Sequence, residues 1–329
     1  MPSPATVLAA VFSIALAFIP AAASAGVSSV VIDAGTGRTL YADDAREVKY
    51  PASLTKMMTL YLLFERLSRG ETKMSTRMRV SRHAASMPPT KLGLRPGSTI
   101  SVRDAILALT TKSANDIAVV VAEALAGSES RFATRMTAKA RALGMQNTTF
   151  RNASGLHHPQ QKTTAQDMAM LGRALLRDHP RYYANFGVRT FAYGKARYGN
   201  HNRLLGAYRG VDGIKTGFTN ASGYNLVASA KRNNIRVIGV VMGSPSSAAR
   251  NALMMRLLDR GFSKAPADRA VAVRARRSQA PRSEVRFEPP LPRPQIYAHG
   301  RIAPESSREE VRLGPPSARP WRDRTSPPG

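Results

Sequence analysis

Three short groups of residues, in a fixed order along the 329-residue chain, carry side chains that could do chemistry: Ser53-Leu54-Thr55-Lys56, Ser113-Ala114-Asn115 and Lys215-Thr216-Gly217. The first sets an amine three residues beyond a hydroxyl, on the same face of a helix. A serine hydroxyl is a poor nucleophile until a base takes its proton, and a lysine can be that base only when neutral. The second group offers a hydroxyl and an amide. The third offers a cation, a hydroxyl and a glycine that removes a side chain where a substrate backbone would approach a strand. Singly these prove little. About one S-x-x-K match is expected by chance in such a chain, and alone Ser53 would read as a helix cap and Lys56 as a solvated lysine. The order of the three groups, and the elements they fall in, point to a nucleophilic serine.

Pro51 and Ser53 precede a nearly continuous apolar run, Leu54 to Phe64, which predicts a buried helix with Ser53 at its start. A lysine at the beginning of that helix is desolvated and lies near the positive end of the helix dipole, and both effects disfavour its cation. Ser101-Val102-Arg103-Asp104 has capping spacing and predicts a short helix through Ala105 to Leu109. Ser113 and Asn115 then fall in a break before a second helix, Asp116 to Ala126, stopped at Gly127. Val211 to Thr219 and Tyr224 to Lys231 predict a hairpin joined through Asn220-Ala221-Ser222-Gly223. A third strand, Ile235 to Met242, follows Asn233-Asn234.

With these residues in place, the chain resembles the low-molecular-mass penicillin-binding proteins, the serine D-alanyl-D-alanine carboxypeptidases, over roughly residues 27 to 262. The run from Val211 through Lys215-Thr216-Gly217-Phe218 to Ala230 is similar to that family's extended K-T-G block. Asn152-Ala153-Ser154-Gly155-Leu156 and Asn200-His201-Asn202-Arg203-Leu204-Leu205 are similar to two further blocks. The resemblance implies an α/β (α+β) fold of the β-lactamase/DD-peptidase type, an antiparallel sheet flanked by helices with the active site at the sheet edge. It implies Ser53 as the acylated nucleophile, Lys56 as its base and Ser113 as the proton relay to the leaving amine. Asn115 would hydrogen-bond the substrate's peptide, and Lys215 and Thr216 would hold its terminal carboxylate. The backbone N–H groups of Ser53 and Phe218, beside Gly217, would form the oxyanion hole. Arg250 falls where family members carry an arginine for the same carboxylate, although a solvated helix arginine reads equally well there. The implied reaction removes the terminal D-alanine of peptidoglycan stem peptides, with β-lactam antibiotics as covalent inhibitors and no cofactor or metal. Two departures stand out: Phe218 occupies a position where family members often have histidine, and nothing after Ser263 reads as a second β-rich domain or an amphipathic anchor.

A DD-endopeptidase cutting cross-links and a weak transpeptidase share these motifs. A class A β-lactamase shares them too, but needs a glutamate to activate its deacylating water. Between Ser113 and Lys215 the chain has only Glu123 and Glu129, neither followed by Leu-Asn, and its middle motif is Ser-Ala-Asn where that class has Ser-Asp-Asn. A non-catalytic wall-binding protein would have no need for both lysines.

Composition bears on location and partners. Met1 to Ala25 lack charge, with an apolar stretch from Val7 to Ile19, a break at Pro20 and small residues at Ala23-Ser24-Ala25. This predicts a cleaved signal peptide over residues 1–25, too short in its apolar part to span a membrane, and an extracytoplasmic or periplasmic mature protein. The absence of cysteine excludes a disulfide framework. Residues 26–263 read as the catalytic domain. Residues 264–329, rich in Pro, Arg and Ser, read as a basic disordered tail in which only Val285 to Phe287 could form a short strand. The net charge of +28 comes without a nucleic-acid-binding motif. For an exported chain it fits electrostatic contact with an anionic wall or membrane surface, and it fits equally well an arginine-rich composition that serves solubility alone. His157 and His158 are adjacent and lack metal-ligand spacing, so no metal is expected.

Overall fold

The computed structural model describes residues 26–265; the expected signal segment, the tail beyond Ala265 and its short strand lie outside the described residues. The chain opens with β1 (Ser28–Asp33) and β2 (Thr39–Asp43), then a 3-10 turn over Ala52–Thr55 that runs into α1 (Lys56–Ser68). β3 (Arg77–Arg79), α2 (Arg82–Ser86), β4 (Thr99–Ser101) and α3 (Val102–Leu107) follow, and α3 widens into a π-helical turn over Ala108–Lys112. Next come α4 (Asn115–Ala126), α5 (Glu129–Ala142), α6 (Ala165–Asp178), α7 (Pro180–Tyr183) and a 3-10 turn over Ala184–Gly187. The small hairpin of β5 (Thr190–Tyr193) and β6 (Ala196–Gly199) precedes β7 (Val211–Thr219), β8 (Gly223–Arg232), β9 (Ile235–Ser244) and α8 (Ser247–Lys264).

Five strands form one antiparallel sheet in the order β2-β1-β9-β8-β7, so the first strand pairs with the last, Ser28 opposite Met242 and Asp33 opposite Val237. Strand alternation sends neighbouring residues to opposite faces, and here both faces are apolar. Val31, Leu226, Val237 and Val241 pack with Met254 and Leu258 of α8. Val30, Ile32, Val227, Ile238 and Val240 pack with the core that includes α6, α1 and α4. A sheet covered on both faces needs near-continuous apolar strands, which is what β9 supplies. The expected antiparallel sheet flanked by helices is the observed fold.

Helix α4 is buried without interruption from Asn115 to Ala122, as its apolar run Ile117 to Ala122 requires, and ends at Gly127. α1 buries Met57, Met58, Leu60, Leu63 and Phe64; each such side chain stabilises the fold by about 1.5–3 kcal/mol. Ser101 caps α3 by accepting from Asp104 N, as its spacing predicts. The helix expected through Leu109 instead stops at Leu107. The hydroxyls of Thr110 and Thr111 donate back to the carbonyls of Ile106 and Leu107, at 3.0 and 2.6 Å, and such back-bonding bends a helix. Ser113 then turns into the left-handed region, φ 60°, and Asn115 becomes the first residue of α4 rather than part of the break. β8 and β9 are each slightly longer than expected.

Candidate active site

The turn that carries Ser53 is held from three sides. Ala52 before it has φ 47°, a left-handed conformation rare for a residue with a Cβ. Against it lies Gly155, φ +89°, where a Cβ would stand 1.8 Å from Ala52 O. The Gly155 loop is fastened to α1 by Thr59 Oγ1, which donates to Ala153 O at 2.7 Å. From the sheet, Asn225 Nδ2 donates to Tyr50 O at 3.1 Å and Asn225 Oδ1 accepts from Gly243 N at 2.9 Å. On the third side is Gly217, where a Cβ would meet Pro51 O and Ser53 N at 3.1 Å. The glycine expected to make room for substrate therefore lets β7 approach the serine turn itself. Ser53 caps no helix: no side-chain cap bond is made at either turn start.

Lys56 is fully buried, with Nζ 3.1 Å from Ser53 Oγ, 2.8 Å from Asn115 Oδ1 and 2.6 Å from Ser154 O. Burial pushes its pKa well below the ordinary lysine value, and nearby Lys215 pushes the same way, against Asp116 and Glu129. The two carbonyl-type oxygens can only accept, so they take two N–H groups. A neutral amine then has its lone pair left for the Ser53 hydroxyl. That is the arrangement a general base requires.

The opposite wall is β7, at the sheet edge. Lys215 is buried beneath it, donating to Thr216 O at 2.9 Å, with its pKa lowered to about 7 by burial and by the charge of Arg250. Arg250, expected either at the site or in solvent, is buried at the cleft. It is held by Asn251 Oδ1 and Asn225 O, and burial lowers its pKa to about 10. Ser113 Oγ is buried and has no hydrogen-bond partner among the described residues, an orphaned hydroxyl beside the cleft. Asn115, assigned to the substrate's peptide, has both amide ends engaged: Oδ1 with Lys56 and Nδ2 with Pro88 O at 3.0 Å.

The cleft between these walls measures about 820 Å³. Ser53, Ser113, Asn115, Thr216, Gly217, Phe218 and Arg250 line it, and Lys56 and Lys215 lie beneath. All nine residues predicted from the sequence thus converge. Phe218 is 49 % exposed and packs against Tyr224, ring centroids 4.3 Å apart and the rings tilted by 32°. Among the described residues no Asp or Glu lines the cleft. Glu129 accepts from Ala153 N and contacts His83, while Glu123 accepts from Ser81. Sequence reasoning about chemistry passed over Gly155, Thr90, His201 and Arg203, all at the cleft. Thr90 is tied to the second motif, donating to Ser113 O at 2.9 Å and accepting from Asn115 N at 2.7 Å. His201, at the mouth, is pushed down to about 4 by partial burial of its ring and then by Lys215, Lys112 and Arg203. The sequence blocks around 152–156 and 200–205 were the available signal for three of these four.

The D-alanyl-D-alanine carboxypeptidase family matches residues 17–246. The chain is 39% identical over 246 residues to D-alanyl-D-alanine carboxypeptidase DacF of Bacillus subtilis, covering 72% of this chain and 62% of that one. It is 39% identical over 240 residues to DacC of Escherichia coli, covering 71% and 60%. The chain thus spans about three fifths of the length of these curated relatives. Among solved structures, penicillin binding protein 5 from Haemophilus influenzae superposes with a TM-score of 0.70 at 35% identity, covering 72% of this chain and 70% of that one. Ampicillin-bound penicillin-binding protein D2 from Listeria monocytogenes gives 0.66 at 32%, covering 71% and 96%. Among the described residues no helix is long and apolar enough to cross a membrane.

Proposed function

Because the chain belongs to the D-alanyl-D-alanine carboxypeptidase family, we propose that it removes the terminal D-alanine from peptidoglycan stem peptides through an acyl-enzyme at Ser53. The observation that carries this reading is the Lys56 amine, buried against two acceptor oxygens with its remaining valence directed at Ser53 Oγ. Ser53 Oγ attacks the carbonyl of the penultimate D-alanine while its proton passes to Lys56 Nζ. The backbone N–H groups of Ser53 and Phe218 take the developing oxyanion, a donor pair in which each is typically worth about 3 kcal/mol of barrier. Collapse breaks the C–N bond, and the orphaned Ser113 hydroxyl passes its proton to the departing amine as it takes up the one that Lys56 received from Ser53. Lys215, Thr216 and Arg250 hold the carboxylate of the leaving D-alanine. Water then hydrolyses the ester and frees Ser53. A β-lactam enters the same path, and its acyl-enzyme persists because neither Glu123 nor Glu129 lines the cleft. Asn115 reaches substrate only by exchanging one of its present partners, so its first duty is to orient Lys56.

Residues 26–263 carry this reaction, residues 1–25 direct export to the extracytoplasmic side, and the basic segment 264–329 contacts anionic wall or membrane surfaces. The test is intact-mass spectrometry with penicillin, followed by D-alanine release from a pentapeptide. The wild type should gain one stable adduct and release D-alanine, and Ser53→Ala should do neither. Rapid recovery of the original mass with hydrolysed drug accumulating would make the protein a β-lactamase. Cleavage of cross-linked dimers without D-alanine release would make it an endopeptidase.

A further inference from the structure

Between Asp178 and Asp212 the chain carries Arg181, Arg189, Lys195, Arg197, Arg203 and Arg209, and not one carboxylate. The described residues as a whole hold 36 Lys and Arg against 14 Asp and Glu, so the folded part is strongly basic without its tail. The carboxylate-free stretch builds the β5–β6 hairpin and then enters the cleft wall at His201 and Arg203.

The hairpin has two unlike faces. Phe191 opposes Tyr198, and Ala192 opposes Arg197. Phe191 is buried, with the rings of Tyr193 and Tyr198 at 5.9 and 6.2 Å. Lys112 Nζ sits 5.3 Å over the Tyr198 ring, at the end of the turn that delivers Ser113. The aromatic face is therefore spent on holding the catalytic turn. The other face presents Thr190, Ala192 and Arg197 to solvent, with Lys195 at the tip beside Gly194. Lys195, Arg197 and Arg203 are exposed, and their side chains have no hydrogen-bond or ion-pair partner among the described residues. The loop after β6 is tied to both neighbours: Asn200 N donates to Arg189 O at 2.8 Å, and Asn202 Nδ2 donates to Gly213 O of β7 at 3.1 Å. The cationic face thus stands on one rigid connection with the reacting cleft.

We propose that the outer face of the β5–β6 hairpin is a docking surface for the carboxylate-bearing glycopeptide polymer from which the substrate peptide projects, an inference that rests on the peptidase reading above. Stem peptides repeat along such a polymer, and their free carboxylates form a polyanion. A row of uncompensated cations leading into the cleft holds neighbouring peptides while one is cut. A lipid surface fits less well, because the exposed hairpin face offers no large apolar side chain to insert into a membrane.

The test compares the full chain with its Lys195→Gln/Arg197→Gln variant on two substrates, a short D-Ala-D-Ala pentapeptide and purified pentapeptide-bearing wall polymer. Neither substituted residue lines the cleft. The kcat/KM on polymer should fall about tenfold in low salt, the order of enhancement that a clustered field gives to association. The difference should vanish between roughly 0.01 and 1 M salt, as the screening length drops from about 30 to 3 Å. Penicillin acylation and pentapeptide turnover should stay unchanged, and Lys195→Arg/Arg197→Lys should behave as wild type. Unchanged polymer turnover, or an equal loss on both substrates, would overturn the docking surface. Loss of binding to phosphatidylglycerol vesicles with polymer turnover intact would also overturn it, in favour of a lipid site. Failure of the wild type itself to release D-alanine from either substrate would instead sink the peptidase reading.

Discussion

The two walls of the cleft each bury a lysine, and they treat it in opposite ways. On the helical wall Lys56 has three oxygen neighbours within 3.1 Å and the fields of Asp116 and Glu129. On the strand wall Lys215 has one carbonyl, and its charged neighbour is Arg250, another cation. Burial lowers both pKa values, but the surroundings then part company. Lys56 is solvated by fixed dipoles that suit a neutral amine gaining a proton in the reaction. Lys215 is left short of an anion, which in the proposed reaction a substrate carboxylate would supply. One lysine is prepared for a proton and the other for a charge. Burial alone does not distinguish a base from a binding cation; the neighbouring donors and acceptors do.

The largest expected effect breaks the helical wall. Lys56→Arg keeps the charge but cannot lose a proton, so the rate of Ser53 acylation should fall by about 10²- to 10⁴-fold. A rate constant from intact-mass time courses checks this. Lys215→Gln should cost less, about tenfold to a hundredfold in kcat/KM, the usual worth of a hydrogen bond to a charged group. Lys215→Arg should cost only a fewfold. Equal losses at positions 56 and 215 would erase the distinction between the walls.

The pH dependence sharpens the same comparison. In the free enzyme Lys215 loses its charge above about pH 7, so kcat/KM for carboxylate-bearing substrates should decline from there upward. Lys215→Arg should move that decline to higher pH. Stability should run the other way. The unfolded chain binds a proton at Lys215 up to its ordinary pKa, while the folded chain has already released it above about 7. Unfolding therefore becomes harder as pH rises from about 7 towards 10. Thermal midpoints in Lys215→Met should rise less steeply over that window, with Lys56 supplying the slope that remains.

Legibility from sequence followed the range of the interactions. Ser53 and Lys56 could be paired because three residues of helix fix their relation whatever surrounds them. The β7–β8–β9 meander could be read because its turns are local. The pairing of β1 with β9 could not, since about two hundred residues separate partners and both strands are simply apolar. The bend that turns Ser113 into the cleft depends on two threonine hydroxyls competing for backbone carbonyls, which leaves no mark in periodicity. Gly155 was visible as a glycine, but its need to be one comes from Ala52 O, a hundred residues away in sequence. Arg250 was ambiguous for the same reason: only the packing of α8 on β8 decides that its guanidinium is buried at the cleft.

The smallest expected effect concerns Phe218. Its half-exposed side chain packs at a tilt against Tyr224, and its proposed role belongs to the backbone. Phe218→His should change acylation by no more than about threefold, and Phe218→Ala should lower stability by about 1 kcal/mol through the lost ring pair. A large loss of acylation in Phe218→His would assign the side chain a part in substrate binding.

The protonation state of Lys56 can be measured directly. In protein labelled with 13C and 15N at lysine, the Lys56 Cε and Nζ shifts, assigned by comparison with Lys56→Arg, report whether the amine is charged. The neutral-base account predicts neutral-amine shifts at pH 7, moving to the charged form only on acidification, while exposed lysines stay charged until about pH 10. Charged-amine shifts for Lys56 persisting to pH 9 or beyond would contradict it and would leave Ser53 without its base.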